Sequence, residues 1–99
     1  MKLLMVICYE TDLPKVVAEI EAAGSTEYTF LTRLSGRGKG GRHLNTEAAP
    51  GFNAAMLIGC DELTAAQIQG RLRTLHADLT ARRPRAGLHA FCWEAEQWL

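Results

Sequence analysis

Residues 2–9 form an unbroken apolar run of strand length. Such a run implies a strand buried on both faces in the middle of a sheet. It breaks at Tyr9-Glu10-Thr11-Asp12 with no small-residue cleavage site behind it, so it reads as a strand rather than a secretion signal. Beyond Thr11 or Asp12 as a cap, Leu13, Val16, Val17 and Ile20 recur at helical spacing, and Gly24 supplies the stop of an amphipathic helix. Residues 26–34 are rich in β-branched and aromatic types, with Tyr28, Phe30, Thr32 and Leu34 on one face of a second strand. Residues 35–51 carry five glycines and Pro50 without periodicity. This stretch exceeds the ~12 to 15 residues at which loops become uncommon in small domains, which points to a functional or mobile segment. Strand character returns over Phe52–Cys60. The capping-box pattern Thr64-Ala65-Ala66-Gln67 then leads into Ile68, Leu72, Leu75 and Leu79 on one face of a second helix. Gly70 lies on the opposite face, which reads as exposed. Pro84 ends the helical stretch, Leu88–Trp93 is a fourth strand apolar on both faces, and Glu96–Leu99 reads as a short turn.

The order strand, helix, strand, strand, helix, strand folds, with right-handed crossovers, into an antiparallel sheet with both helices on one face. The expectation is therefore an α+β, ferredoxin-like βαββαβ unit spanning residues 1–99 as a single domain. Two helices cover only one face of such a sheet, yet the first, third and fourth strands are apolar on both. The second face should be buried by further copies of the chain, which predicts a homo-oligomer.

At 99 residues the chain has room for one small core, and no run of ~18 apolar residues suggests direct membrane insertion. Eleven Lys plus Arg cancel eleven Asp plus Glu to a formal net charge of +0, so no global field steers the protein to nucleic acid or membranes. Charge-based function must then be local. Cys8, Cys60 and Cys92 are odd in number and lack Cys-x-x-Cys spacing, which argues against a disulfide framework and favours a reducing cytoplasm. In Gly36-Arg37-Gly38-Lys39-Gly40-Gly41-Arg42-His43, glycines permit close backbone approach while cations supply charge-assisted donors. That is the chemistry of an anion-binding loop, and equally of a solvated flexible one. Arg82, Arg83 and Arg85 form a second basic group, readable also as cations complementing a helix C-terminus. Residues 28–46 and 79–93 contain no acid, so both loops stand in acid-free stretches.

Phe52–Cys60 lacks the aromatic pair that an RNA-recognition strand stacks on bases, which argues against nucleic acid. His43, His89 and the cysteines have no ligand-pair spacing, so no metal site is assigned, and His76 reads as a surface residue. No nucleophile, base and orienter come together in the pattern, so an enzyme is not expected.

The stretch Thr29-Phe30-Leu31-Thr32-Arg33-Leu34-Ser35-Gly36-Arg37-Gly38-Lys39-Gly40 resembles the second strand and start of the T-loop in PII signal-transduction proteins. Asn45-Thr46 and Pro50-Gly51-Phe52-Asn53 look like the shorter PII-like branch. The resemblance implies a trimer that binds an adenine nucleotide (ADP, AMP or ATP) as effector between subunits, with no obligatory cofactor, and that regulates a protein target, a transporter or enzyme, through the loop. Carried over by position, it assigns Gly36, Arg37, Gly38 and Lys39 to the T-loop base and Thr29 to a neighbouring place on strand two. Arg82, Arg83 and Arg85 fall in the B-loop, and His89 at a phosphate-contacting position. The B-loop departs from the family pattern Thr-Gly-x-x-Gly-Asp-Gly-Lys. Some PII-like relatives take bicarbonate, a small anion compatible with this loop chemistry. The alternative is a CutA-like metal-binding or metal-tolerance protein, whose trimeric core is similar.

Overall fold

The first strand, β1 (Lys2–Tyr9), occupies the interior of the sheet, as its two-sided apolar character requires. The computed structural model describes residues 1–38, 41–43, 52–83 and 86–99. A three-residue 3₁₀ turn, Glu10–Asp12, leads from β1 into α1 (Leu13–Ala22). Then follow β2 (Thr29–Leu34), the short strands β3 (Gly36–Gly38) and β4 (Gly41–His43), and β5 (Asn53–Cys60). The long helix α2 (Glu62–Arg82) and β6 (His89–Glu94) complete the order. The four long strands form one sheet in the order β2-β5-β1-β6, antiparallel throughout, and β3 and β4 form a separate two-stranded ladder. This is the expected ferredoxin-like α+β arrangement. The addition is that ladder, which lies within the stretch that shows no strand periodicity.

Strand alternation divides the sheet cleanly. Leu4, Val6 and Cys8 of β1, with Ala54, Met56 and Ile58 of β5, are buried beneath Val16 and Ile20 of α1 and Ile68, Leu72 and Leu79 of α2. These are the apolar helix positions visible in the sequence. The other face carries Leu3, Met5 and Ile7, whose partners on β6 are Trp93, Phe91 and His89 and on β5 are Gly59, Leu57 and Ala55. Phe91 is 53% and Trp93 43% exposed.

Both helix ends follow from local chemistry. At the C-terminus of α1, Gly24 takes φ +98 while its N–H donates to Glu21 O (2.9 Å) and that of Ser25 to Ile20 O (3.3 Å). This pattern satisfies the last carbonyls and requires the left-handed backbone that glycine adopts freely. The second helix begins earlier than the Thr64 capping box indicates. Asp61 is its N-cap and accepts a hydrogen bond from the Thr64 N–H at 2.7 Å, which holds the Asp61 carboxyl below its ordinary pKa. Asp outranks Thr as a cap, and Glu62 in the first turn suits the helix dipole, so the earlier start wins. Gly70 is exposed on α2 with open space around the position a Cβ would take, in agreement with the exposed-face reading.

Cys8 belongs to this core, and burial pushes its thiol up to about 12 from an ordinary 9.0. The folded state therefore favours the protonated thiol, a contribution fully present below pH 9 and lost as the pH rises toward 12. Urea midpoints measured across that window should fall more steeply for the natural protein than for Cys8→Ala. Equal slopes would show that the thiol is not what resists ionisation.

Candidate functional site

The edge strand β2 carries the approach to the long loop. Thr29 lies opposite Leu57, on the face that the helices leave uncovered, and Leu31 lies opposite Ala55 on that same face. The register then shifts between Leu31 and Leu34, and within this bulge Arg33 takes φ 56, a conformation unusual for a non-glycine residue. Its surroundings hold it there. The Arg33 N–H donates to Glu10 Oε2 at 2.8 Å, and its guanidinium sits 5.5 Å from the centre of the Phe52 ring. The Glu10 N–H in turn donates to Phe52 O at 2.9 Å. Residue 33 precedes the loop and residue 52 follows it, so Glu10 fastens both ends to the end of β1. Arg33 and Glu10 were not among the sequence-derived candidates. The signal that could have found them is the acid directly after the first strand, whose partners come from distant parts of the chain.

Beyond the bulge, the backbone of Gly36 pairs with His43, Arg37 with Arg42 and Gly38 with Gly41. The T-loop-base candidates Gly36, Arg37 and Gly38 thus stand on one strand of a narrow ladder. Lys39 lies outside the described residues.

The second basic group lies at the C-terminal end of α2, against the end of β1. Arg82, at the end of α2, is exposed and pairs with Asp78 at 3.5 Å. Arg83 places Nη2 2.8 and 2.7 Å from the two carboxylate oxygens of Asp12, and its guanidinium lies 5.9 Å from the centre of the Tyr9 ring. Asp12 is only 4% exposed, whereas the Arg83 side chain remains 44% exposed. Because the carboxylate is engaged this way, Asp12 stands at the N-cap position of α1 without a side-chain capping bond. Gly87 takes φ +70, and a Cβ there would fall 2.6 Å from the Tyr9 ring, so the connection into β6 rests against Tyr9 at a place only glycine fits. Arg85 lies outside the described residues. His89 is exposed at the start of β6, opposite Ile7, on the uncovered face.

Of the candidates, Thr29 stands on edge strand β2 and His89 on the opposite edge strand β6. Three strand spacings separate β2 from β6, about 14 Å. The 3₁₀ turn ties the loop base to the end of α2, with Glu10 holding Arg33 and Asp12 holding Arg83. The remaining candidates do not gather. Cys8 is buried, Cys60 half-buried and Cys92 exposed, and among the described residues no three His, Cys, Asp or Glu side chains form a group that could hold a metal ion. Among the same residues no helix is long and apolar enough to cross a membrane.

The chain is a ferredoxin-like sheet with one apolar face uncovered by helices and a loop base fastened at the end of β1. Residues 1–78 match the family of nitrogen regulatory protein P-II. The chain belongs to the P-II family, whose members form trimers. No curated protein matches the chain in sequence. Solved structures share its fold. One is CPII from Thiomonas intermedia K12, bound to ADP and bicarbonate, at 15% identity and TM-score 0.73, covering 93% of this chain and 82% of that one. A second structure of CPII, bound to ADP, AMP and bicarbonate, has 15% identity and TM-score 0.74 over 93% and 82% of the two chains. A protein of Thermus thermophilus assigned to PII-like signaling has 22% identity and TM-score 0.67 over 93% and 83%.

Proposed function

We propose that this protein is a PII-like cytoplasmic sensor. It assembles as a homotrimer, binds an adenine nucleotide (ADP, AMP or ATP) together with a small anion such as bicarbonate between copies, and signals occupancy to a protein target through loop 35–51. Gly36, Arg37, Gly38 and Lys39 of one copy would take the phosphates, with Thr29 beside them. Arg82, Arg83, Arg85 and His89 of the next copy would face them. The observation that carries this reading is the placement of Thr29 and His89 on opposite edge strands of one sheet. Strands about 14 Å apart do not bring both residues of one chain onto a single phosphate, whereas the edge of one copy set against the edge of the next can. Membership of the P-II family and the nucleotide and bicarbonate held by CPII supply the ligand class. Arg83 would serve with the N–H groups that Asp12 leaves unused, since a guanidinium has five. The protein would act by binding alone, with no substrate turned over and no obligatory cofactor.

A thermal-shift panel of ADP, AMP, ATP and bicarbonate tests the ligand, because a molecule that binds only the folded state raises Tm. Calorimetry on Arg37→Ala then tests the site. Loss of one charge-assisted contact should weaken nucleotide binding by ~1.5 to 3 kcal/mol, about ten- to a hundredfold. Unchanged affinity would leave Arg37 a solvating charge, and a flat panel would remove the nucleotide altogether.

A further inference from the structure

On the helix side of the sheet, β6 is left open. Its outer face, Phe91 and Trp93, awaits other copies, but Ala90 and Cys92 point to the helix layer and are exposed as well, because α2 lies over β1 and β5 rather than over the edge. The result is a cavity of about 490 Å³ between α2 and β6. Its apolar floor includes Leu4, Leu72 and Leu88, its strand wall carries Cys92, and Arg73 and His76 rise from α2 on the other side. The volume is that of a small-molecule site, and the lining has the usual make-up of one, mostly apolar with a few placed polar groups.

The state of Arg73 gives the cavity its charge preference. Arg71 is paired with Glu19, Arg82 with Asp78 and Arg83 with Asp12. Arg73 has no carboxylate partner among the described residues, and no acid lines the cavity. A planar cation beside an apolar floor suits an anion with an apolar body. None of the nucleotide-site candidates, His89 included, lines this cavity, which separates it from the nucleotide reading.

We propose that the α2–β6 cavity is a second ligand site, which takes a small organic carboxylate with its apolar body over Leu4, Leu72 and Leu88 and its carboxyl group at Arg73. The test uses octanoate as the probe and Cys92 as the reporter on the native assembly. Iodoacetamide alkylation is followed by peptide mass spectrometry, which distinguishes Cys92 from the half-buried Cys60 and the buried Cys8. Saturating octanoate should slow Cys92 alkylation about tenfold, and Arg73→Gln, at an exposed helix position, should abolish that protection while the circular dichroism spectrum stays unchanged. Three results would overturn the proposal: no protection in the natural protein, equal protection in Arg73→Gln, or a Cys92 that is unreactive without octanoate because another copy covers the cavity. Protection by AMP but not by octanoate would also overturn it, by moving the nucleotide to this cavity.

Discussion

A Met5→Asp variant is expected to scatter light as a single subunit where the natural protein scatters as three. Met5 lies at the centre of the bare sheet face, directly between Phe91 on β6 and Leu57 on β5, with Leu3 and Ile7 on either side along its own strand. Assembly that buries this face would carry the new carboxylate into an apolar layer without a partner, at a cost of several kcal/mol in each copy. The helix-side core, which begins on the other side of β1, is untouched, so the monomer should keep its far-UV circular dichroism. It should also lose any thermal shift with nucleotide, because the proposed site needs edges from two copies. A variant that remains a trimer would show that the face is covered differently. A monomer that binds nucleotide as well as the natural protein would place the ligand within one chain.

Arg83→Ala should reduce folding stability by about 3 kcal/mol, the lower end of the range for breaking a buried ion pair from one side. The pair is asymmetric, and the asymmetry sets the outcome. Asp12 is 4% exposed and both its oxygens contact the Arg83 guanidinium, so removing the arginine strands a carboxylate out of water. Removing the acid does less, because Arg83 is already 44% exposed and can turn to solvent. Urea unfolding of Arg83→Ala, Asp12→Asn and the double variant separates these effects. The expected order has Arg83→Ala least stable and the double variant partly restored. Equal small losses in all of them would reduce the pair to an ordinary surface contact, worth no more than about 1 kcal/mol.

The fold was legible because the two periodicities are strong and separate. The run at 2–9 and the stripe through Ile68, Leu72, Leu75 and Leu79 leave little freedom in how strands and helices alternate. The apolar surplus on β1 and β5 identified the bare face before any geometry was known. The site was legible only as two basic stretches. That Thr29 and His89 stand on opposite edges of one sheet depends on the order β2-β5-β1-β6, which pairs strands far apart in the chain. The Arg33 bulge was hidden for a related reason. Nothing in Thr-Arg-Leu marks a left-handed backbone, and the groups that stabilise it, Glu10 and Phe52, are 23 residues before it and 19 after it. Alternation of Tyr28, Phe30, Thr32 and Leu34 along one face stops at that bulge, although Tyr28 and Phe30 stack as neighbours with ring centres 5.8 Å apart. Asp12 read as a helix cap because its position is right for one, and the competing arginine lies 71 residues away.

The 3₁₀ turn at Glu10–Asp12 has a consequence for communication between binding events. In the proposed trimer each cleft is shared by the loop base of one copy and the α2–β6 connection of the next, while this turn ties loop base and connection together inside a copy. Clefts and turns then alternate around a closed circuit of three. A ligand that shifts Arg83 would pull on Asp12, and through the three-residue turn on Glu10 and the loop base that serves the adjacent cleft. In that arrangement a binding isotherm should depart from that of three equal, isolated sites. Gln in place of Glu10 keeps the acceptor but weakens the tether, and should bring the isotherm back toward independence.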